Sequence, residues 1–550
     1  MKYLKRKNLM IKTNSSCSSR FPGLFLIFFI VILSGLFFIL CSCHKQSSSS
    51  SDELLKEPVH YGRAQFIDAD DEEQAIIFKA AHVIPDQRQL AWQQKELMAF
   101  IHFGINTFTD REHGLGTEPP ELFNPTSFNP RQWTRVLKEA GFKTVILTAK
   151  HHDGFCLWPT RTTDHSVKKS KWLNGRGDVV REVARACREE GLDFGFYLSP
   201  WDTHEKSYGS EAYNEFFRRQ LKELLTDYGP ISEVWFDGYC GEGPNGRRQV
   251  YDWNSYYELI RKLQPEAVIA IMGPDVRWVG NEDGLARETE WSVLPLNLPE
   301  PSLNALRKKV LNLESVFQPQ DTMGGDLGSR EKLLKARALF WYPAEVDVSI
   351  RPGWFYHQSQ DKQVKKPEAL FRIYFQSVGR NSVLLLNIPP DRRGLINEND
   401  VRALKEWKKL LDLTFKKNFA LKARLRPSSE QKEHQAAALV TPQEHDNWAP
   451  AENQSEASIE FLLEKSATFD CAELKEDILK GQRVEEFSLE IWNNGTWQEV
   501  ASGTTIGYKR LITFPAVTTD RVRLHLKKYR ATPYLKKFAL YRLAFNISEK

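Results

Sequence analysis

The side chains able to do chemistry stand at the ends of short apolar runs. Asp237 follows Val234, Trp235 and Phe236 and precedes Gly238. An apolar run of that length reads as a buried strand rather than a helix. At the carboxyl end of a parallel strand, α/β enzymes place their reacting groups. An Asp-Gly pair also makes an ordinary turn, so Asp237 taken alone reads either way. The same position rule collects His102, then His151, His152 and Asp153, then Trp201 and Asp202. Further on it adds Glu282, with Glu288 and Glu290 behind it, and Trp354. Three chemistries compete for this set. A divalent metal would draw on the His and Asp side chains, but adjacent His151 and His152 should point to opposite sides of an extended strand, and no HExxH or HxH spacing occurs. A Ser or Cys nucleophile lacks a GxSxG elbow. Hydrolysis of a glycosidic bond needs two carboxylates, about 5 Å apart for retention and wider for inversion, with imidazoles and rings to hold the sugar. No metal or other cofactor is expected; a metal-dependent barrel hydrolase stays as the rival reading.

The elements that must position these residues alternate. Strand candidates run over 97–108, 143–149, 194–198 and 234–236, then 267–272, 288–294, 340–350 and 382–388. Helical spacing lies between most of them, as in Trp133, Val136, Leu137 and Ala140, or in Val179, Val183, Ala186 and Cys187 behind a capping Asp178. Strands alternating with helices on this scale imply a parallel sheet closed as a (β/α)8-like barrel over 80–414. An open doubly wound sheet is the alternative, and no GxGxxG or phosphate-loop motif supports it. From 415 to 550 the pattern changes to apolar–polar alternation, as in 457–463, 487–492 and 522–526, with Asn493, Asn494 and Gly495 as a hairpin turn. That stretch reads as an antiparallel β-sandwich domain.

Composition narrows the function further. Of 550 residues 12% are aromatic, including 15 Trp and 17 Tyr, which suits sugar faces as well as large cores. The formal charge of +5 is an N-terminal effect: beyond residue 42 there are 70 basic against 71 acidic residues, which argues against a nucleic-acid partner. Residues 1–43 read as a targeting segment. A basic start precedes the apolar run from Phe21 to Leu40, and Leu40-Cys41-Ser42-Cys43 resembles a bacterial lipobox with Cys43 as the lipidated residue. An uncleaved transmembrane anchor is the alternative. Residues 44–79 are then tether and lead-in, and the chain is expected to be an exported lipoprotein of a bacterial cell envelope, on the membrane through this anchor only. Cys156, Cys187, Cys240 and Cys471 show neither a paired CxxC pattern nor a dense disulfide framework.

Four stretches together carry a resemblance. Ile101-His102-Phe103-Gly104, residues Lys150 to Phe155, residues Phe196 to Asp202, and Glu233 to Gly238 resemble, in order, the α-L-fucosidases of glycoside hydrolase family 29. The resemblance covers residues 80–410. It implies a retaining exo-hydrolase on a barrel with an appended β-sandwich, no cofactor, and a fucosylated oligosaccharide or glycoconjugate as substrate. It implies Asp237 as nucleophile, with His102, His151, His152, Tyr197 and Trp235 around the fucose; shorter matches add Arg277 and Trp354. Related members carry the general acid/base in a Trp-x-Gly-Asn-Glu segment, here Trp278 to Glu282, which implies Glu282, with Glu290 and Glu288 as the alternatives. Residues 107–113 and 278–282 also resemble the subgroup that favours α1,3/1,4-linked fucose. Glu118 reads equally as a fucose contact or a solvated loop acid, and Trp158 and Asp202 equally as pocket lining or packing. A catalytically silent glycan-binding lipoprotein on the same fold is the other rival. Chemically, the acid must start protonated and Asp237 must be ionised, helped by donors around it.

Overall fold

Eight short parallel strands, most of them buried end to end, form the wall that carries the candidate residues. In this computed structural model they are β1 (Leu97–Ile101), β2 (Thr144–Lys150), β3 (Asp193–Leu198), β4 (Glu233–Phe236), β5 (Val268–Ile271), β6 (Arg277–Trp278), β7 (Ala344–Ser349) and β8 (Val383–Asn387). Their order around the sheet is β5-β4-β3-β2-β1-β8-β7-β6. A parallel bridge from Ala270 to Val276 brings the two edges together, so the sheet closes as a (β/α)8-like barrel. The structure describes residues 61–545 apart from 442, 443 and 445. The lipobox, Cys43 and the tether before residue 61 lie outside the described residues. Among those described, no helix is long and apolar enough to cross a membrane.

Helices α1 (Pro130–Ala140), α2 (Val179–Glu190), α3 (Glu211–Asp227), α4 (Trp253–Leu263), α5 (Pro367–Gln376) and α6 (Glu398–Phe415) sit between or after the strands. Local sequence sets their starts. The Asn129 side chain accepts from the Gln132 amide with Pro130 at the first helical position, and Asp178 accepts from the Arg181 amide; each such cap contributes about 1 kcal/mol. The face each buries is the one its spacing defines, Trp133, Val136, Leu137 and Ala140 for α1.

Three strand expectations differ from what is observed. The sixth barrel strand is the two-residue Arg277–Trp278, too short for periodicity to reveal, while the 288–294 stretch yields only Val293–Pro295 outside the barrel. The 340–350 run is two strands, Ala338–Trp341 and β7, because Pro343 between them cannot donate to a ladder. Ala338–Trp341 pairs with Ala64–Phe66 and with Val293–Pro295 in a small antiparallel sheet. The first strand ends at Ile101 and gives way to a short helix, Ile105–Thr109.

After α6 the chain builds an antiparallel sheet from β9 (Arg424–Pro427), β10 (Ala457–Glu476), β11 (Val484–Asn493), β12 (Thr496–Gly503), β13 (Arg510–Tyr529) and β14 (Leu535–Tyr541). The path is β9-β10-β13-β11-β12, with β14 also on β10. Long strands 10 and 13 each bend through register shifts, letting one pair of strands serve both layers around a core that includes Phe461, Leu489, Leu524 and Phe538. Charged side chains join this domain to the barrel. Lys509 pairs with Glu96 just before β1, Lys475 lies 4.0 Å from the same carboxylate, and Arg510 lies 3.2 Å from Glu288.

Candidate active site

Asp237 leaves the end of β4 with its carboxylate between two donors. The Tyr197 hydroxyl, from the neighbouring β3, donates to Oδ2 at 2.9 Å, and the Tyr239 amide donates to Oδ1 at 2.7 Å. One-fifth of the side chain, 20%, remains open to the barrel mouth. Burial pushes the carboxyl up to about 6 against those two donors, and the charge of Glu282 pushes the same way. The tyrosine is fixed from below: its ring stacks on Trp235 at 5.2 Å, and the Trp235 indole donates to Glu345 at 2.9 Å. Trp235 is thus a buried layer under Tyr197 rather than an open wall. Glu345 and Glu233 face each other beneath it, and burial raises both carboxyls, so the pair shares a proton.

Three histidines from the ends of β1 and β2 crowd beside Asp237. Contrary to the strand-alternation expectation, His151 and His152 share one side, their ring centres 4.2 Å apart, because β2 ends at Lys150 and the chain turns. Hydrogen bonding fixes two tautomers. His102 Nδ1 lies 2.9 Å from the side-chain oxygen Oδ1 of Asn387 and so donates to it. The Ser199 hydroxyl spends its proton on the Trp201 carbonyl, so His152 Nδ1 donates to Ser199 at 2.7 Å. Each ring is left with a bare Nε2, an acceptor suited to a hydroxyl. Burial drives His102 down to about 3 and holds His151 and His152 well below the usual range, so all three are neutral. His151 stacks on Tyr197 at 5.6 Å. Around the rim stand His113, Trp201, Tyr239 and Trp354, with His113 5.3 Å from His152 and Tyr239 5.3 Å from Trp201.

Glu282 lies on an exposed loop after β6. The Trp354 indole donates to its carboxylate at 3.4 Å, and Trp354 in turn packs 5.1 Å from His102. The other two glutamates are committed elsewhere. Glu290 is buried in an ion pair with Arg277, and Glu288 pairs with Arg380 and Arg510. Arg277 is completely buried, with Nε donating to the Tyr342 carbonyl at 2.9 Å. A two-residue strand turns its side chain into the wall, so Arg277 does not reach the mouth as the shorter match implies. Trp158 donates to Glu223, and Asp202 is paired with buried Lys150 at 2.9 Å, which keeps Asp202 below the usual range despite burial. Glu118 binds its own loop through the Leu115 and Thr117 amides.

One carboxyl escapes the position rule. Asp347, inside β7, accepts from the Trp278 indole at 2.7 Å. Burial, with the charges of Glu282 and Asp237 adding, pushes it up to about 8 against that donor, so it is a neutral acid at pH 7. Its signal was the alternation of Glu345, Asp347 and Ser349 with Val346 and Val348, which turns the polar set into the barrel. Among the described residues, no group of three or more His, Cys, Asp or Glu is placed to hold a metal ion. What the arrangement can do is keep one ionised carboxylate at a strand end, a second carboxyl at the rim, and neutral acceptors between them.

Comparison with known proteins adds to this geometry. A family model described as alpha-L-fucosidase matches residues 102–285 and 305–414, and one described as F5/8 type C domain matches 425–540. Alpha-L-fucosidase 1 of Arabidopsis thaliana is 43% identical over 477 residues, 85% of this chain and 89% of that protein. The crystal structure of a Bacteroides ovatus relative superposes with a TM-score of 0.78 at 48% identity, covering 90% of this chain and 80% of that one. A Ruminococcus gnavus glycoside hydrolase family 29 fucosidase in complex with fucose gives a TM-score of 0.73 at 30% identity, covering 85% of this chain and 96% of that one.

Proposed function

Because the chain belongs to the α-L-fucosidase family of glycoside hydrolases, we propose that Asp237 and Glu282 carry out a retaining, double-displacement release of terminal fucose. The observation that carries the reading is Asp237 held at the end of β4 between donors from Tyr197 and Tyr239, with the Glu282 carboxyl at the rim bonded to Trp354. In the first step an Asp237 oxygen attacks the anomeric carbon and the bond to the leaving oxygen breaks. That oxygen takes its proton from Glu282. In the second step Glu282 takes a proton from water, the water oxygen attacks the same carbon, and the Asp237 carboxylate is released. The neutral His102 and His152 accept from sugar hydroxyls without adding charge beside the nucleophile. Proton NMR of the first-formed sugar tests the stereochemistry: α-L-fucose from an α-linked substrate supports retention, and β-L-fucose overturns it. For Glu282, the Glu282→Ala variant should recover activity on an activated aryl fucoside when azide is added; recovery in Glu290→Ala instead would reassign the role.

The linkage preference and location belong to the same reading. The exposed rings of His113 and Tyr239 and the half-buried Trp201 and Trp354 offer a surface for the sugar next to fucose, and the resemblance of residues 107–113 and 278–282 supports α1,3/1,4-linked, branched glycans as the substrate. A panel of oligosaccharides differing only in linkage decides it, faster turnover of α1,2-linked fucose being the contrary result. The lipobox supports an envelope lipoprotein anchored at Cys43; radiolabelled palmitate should enter the wild type and not Cys43→Ala.

A further inference from the structure

Glu282 is poorly held by its own side chain. It is exposed and has one hydrogen bond, the long one from Trp354. General acid catalysis needs a heavy-atom distance of about 2.6–3.2 Å to the leaving oxygen, and a misplacement of about 1 Å can cost on the order of a hundredfold. The position of this carboxyl therefore depends on where the backbone is fastened.

The fastening is visible on both sides of the loop. At its start the Val279 amide donates to the Glu345 carbonyl at 3.0 Å. Within it, Asn281 closes a turn by donating to the Leu285 carbonyl at 2.9 Å and accepting from the Asp283 amide at 3.1 Å, so the segment moves as a unit. At its end the barrel supplies the Gln376 carbonyl to the Ala286 amide at 2.8 Å. Beyond it the barrel and the C-terminal domain share the hold: Asn381 donates to the Glu290 carbonyl at 3.1 Å, Arg277 donates to the Trp291 carbonyl at 3.0 Å and Arg380 pairs with Glu288, all from the barrel. Arg510 donates to the Glu288 carbonyl at 2.8 Å and pairs with the Glu288 carboxylate at 3.2 Å. Thr505 accepts from the Glu290 amide at 3.2 Å. The Gln482 side-chain amide bonds twice, donating to the Glu290 carbonyl at 2.9 Å and accepting from the Ser292 amide at 2.8 Å. Arg277, at the loop's entry, is tied to Glu290 at its exit.

We propose that Gln482, Thr505 and Arg510 are positioning residues for catalysis: the C-terminal domain clamps residues 288–292 and thereby sets the reach of the Glu282 carboxyl. This rests on Glu282 as the acid/base. The three side chains touch no substrate; they act through the strut that carries the loop. Arg277, Glu288 and Glu290 belong to the same strut.

Two substrates separate positioning from general support. Fluoride leaves α-L-fucosyl fluoride without needing a proton, whereas the sugar leaving group of a fucosylated oligosaccharide needs one. Gln482→Leu and Thr505→Val should lower kcat/KM on the oligosaccharide about tenfold and leave kcat/KM on the fluoride within about threefold. Thr505→Val changes one oxygen at nearly constant shape and carries the test if Gln482→Leu lowers the folded yield. Equal losses on both substrates, or none on either, overturn the proposal. Glu282→Ala measured alongside separates the two readings. A selective loss there, without one in the clamp variants, overturns the clamp alone, and the absence of a selective loss in Glu282→Ala overturns both.

Discussion

As the proposed nucleophile, Asp237 must be ionised to attack, yet burial holds its carboxyl up to about 6. Below that pH it is protonated and cannot act as nucleophile, so kcat/KM on an aryl fucoside should fall about tenfold per unit on the acid side. The nearby imidazoles do not produce this limb, since His102 titrates at about 3 and its two neighbours lie well below their usual range. Tyr197→Phe removes a donor to the charged form, so the limb should move to higher pH, and a shift to lower pH would contradict the assignment. Asp347 gives a second readout, in stability. Its folded value is about 8 against an unfolded value near 4, so its contribution is complete below the unfolded value and lost as pH rises through 8. Asp347→Asn, which cannot ionise, should melt about 2 °C or more above the wild type at pH 9, with the gap closing towards pH 4.

At the scale of elements, the loop after β6 matters most. Gly280 has φ of +102°, a conformation that L side chains rarely adopt. Gly280→Ala should therefore strain the turn two residues before Glu282 and lower kcat on oligosaccharides while sparing KM, as steady-state kinetics on the two substrates above would show. The barrel strands bearing Asp237 and the histidines were legible because three or more buried apolar residues precede each polar end. The (β/α)8-like class followed from counting such runs, although the 288–294 run counted among the eight lies outside the barrel and Arg277–Trp278 takes its place. What was not legible depends on three-dimensional pairing. β6 exists only because Arg277 and Trp278 find β7 beside them, and its brevity sends the Arg277 side chain into the wall to meet Glu290. His151 and His152 share a side because the strand stops before them. Asp347 hides inside a run whose polar members looked like gaps in the apolar pattern, although the alternation was there to be read.

Over the whole molecule, the barrel and the C-terminal domain are bound by buried charge as well as by apolar contact. Three lysines hold Glu473 down at about 2 despite its burial, and Lys509 is paired with Glu96 of the barrel. Breaking the Lys509–Glu96 pair leaves Lys509 with Glu473 at 4.0 Å as its remaining carboxylate, a loss of about 2 kcal/mol. Glu96→Gln should therefore lower the melting temperature of the whole chain, and calorimetry should show one transition for both domains in the wild type; two separate transitions would contradict this coupling. The doubly bonded Gln482 amide has a consequence for how such a protein can change its parts. A chain assembled by recombination, in which residues after α6 are exchanged for another sandwich, would keep the nucleophile, the histidines and the fold of the barrel. It would lose the share of the hold on residues 288–292 that Gln482, Thr505 and Arg510 supply, keeping that of Arg277, Arg380 and Asn381. On the proposed clamp, such a hybrid would slow on leaving groups that need a proton and keep its rate on fluoride, so an exchanged sandwich would change which bonds the barrel cleaves.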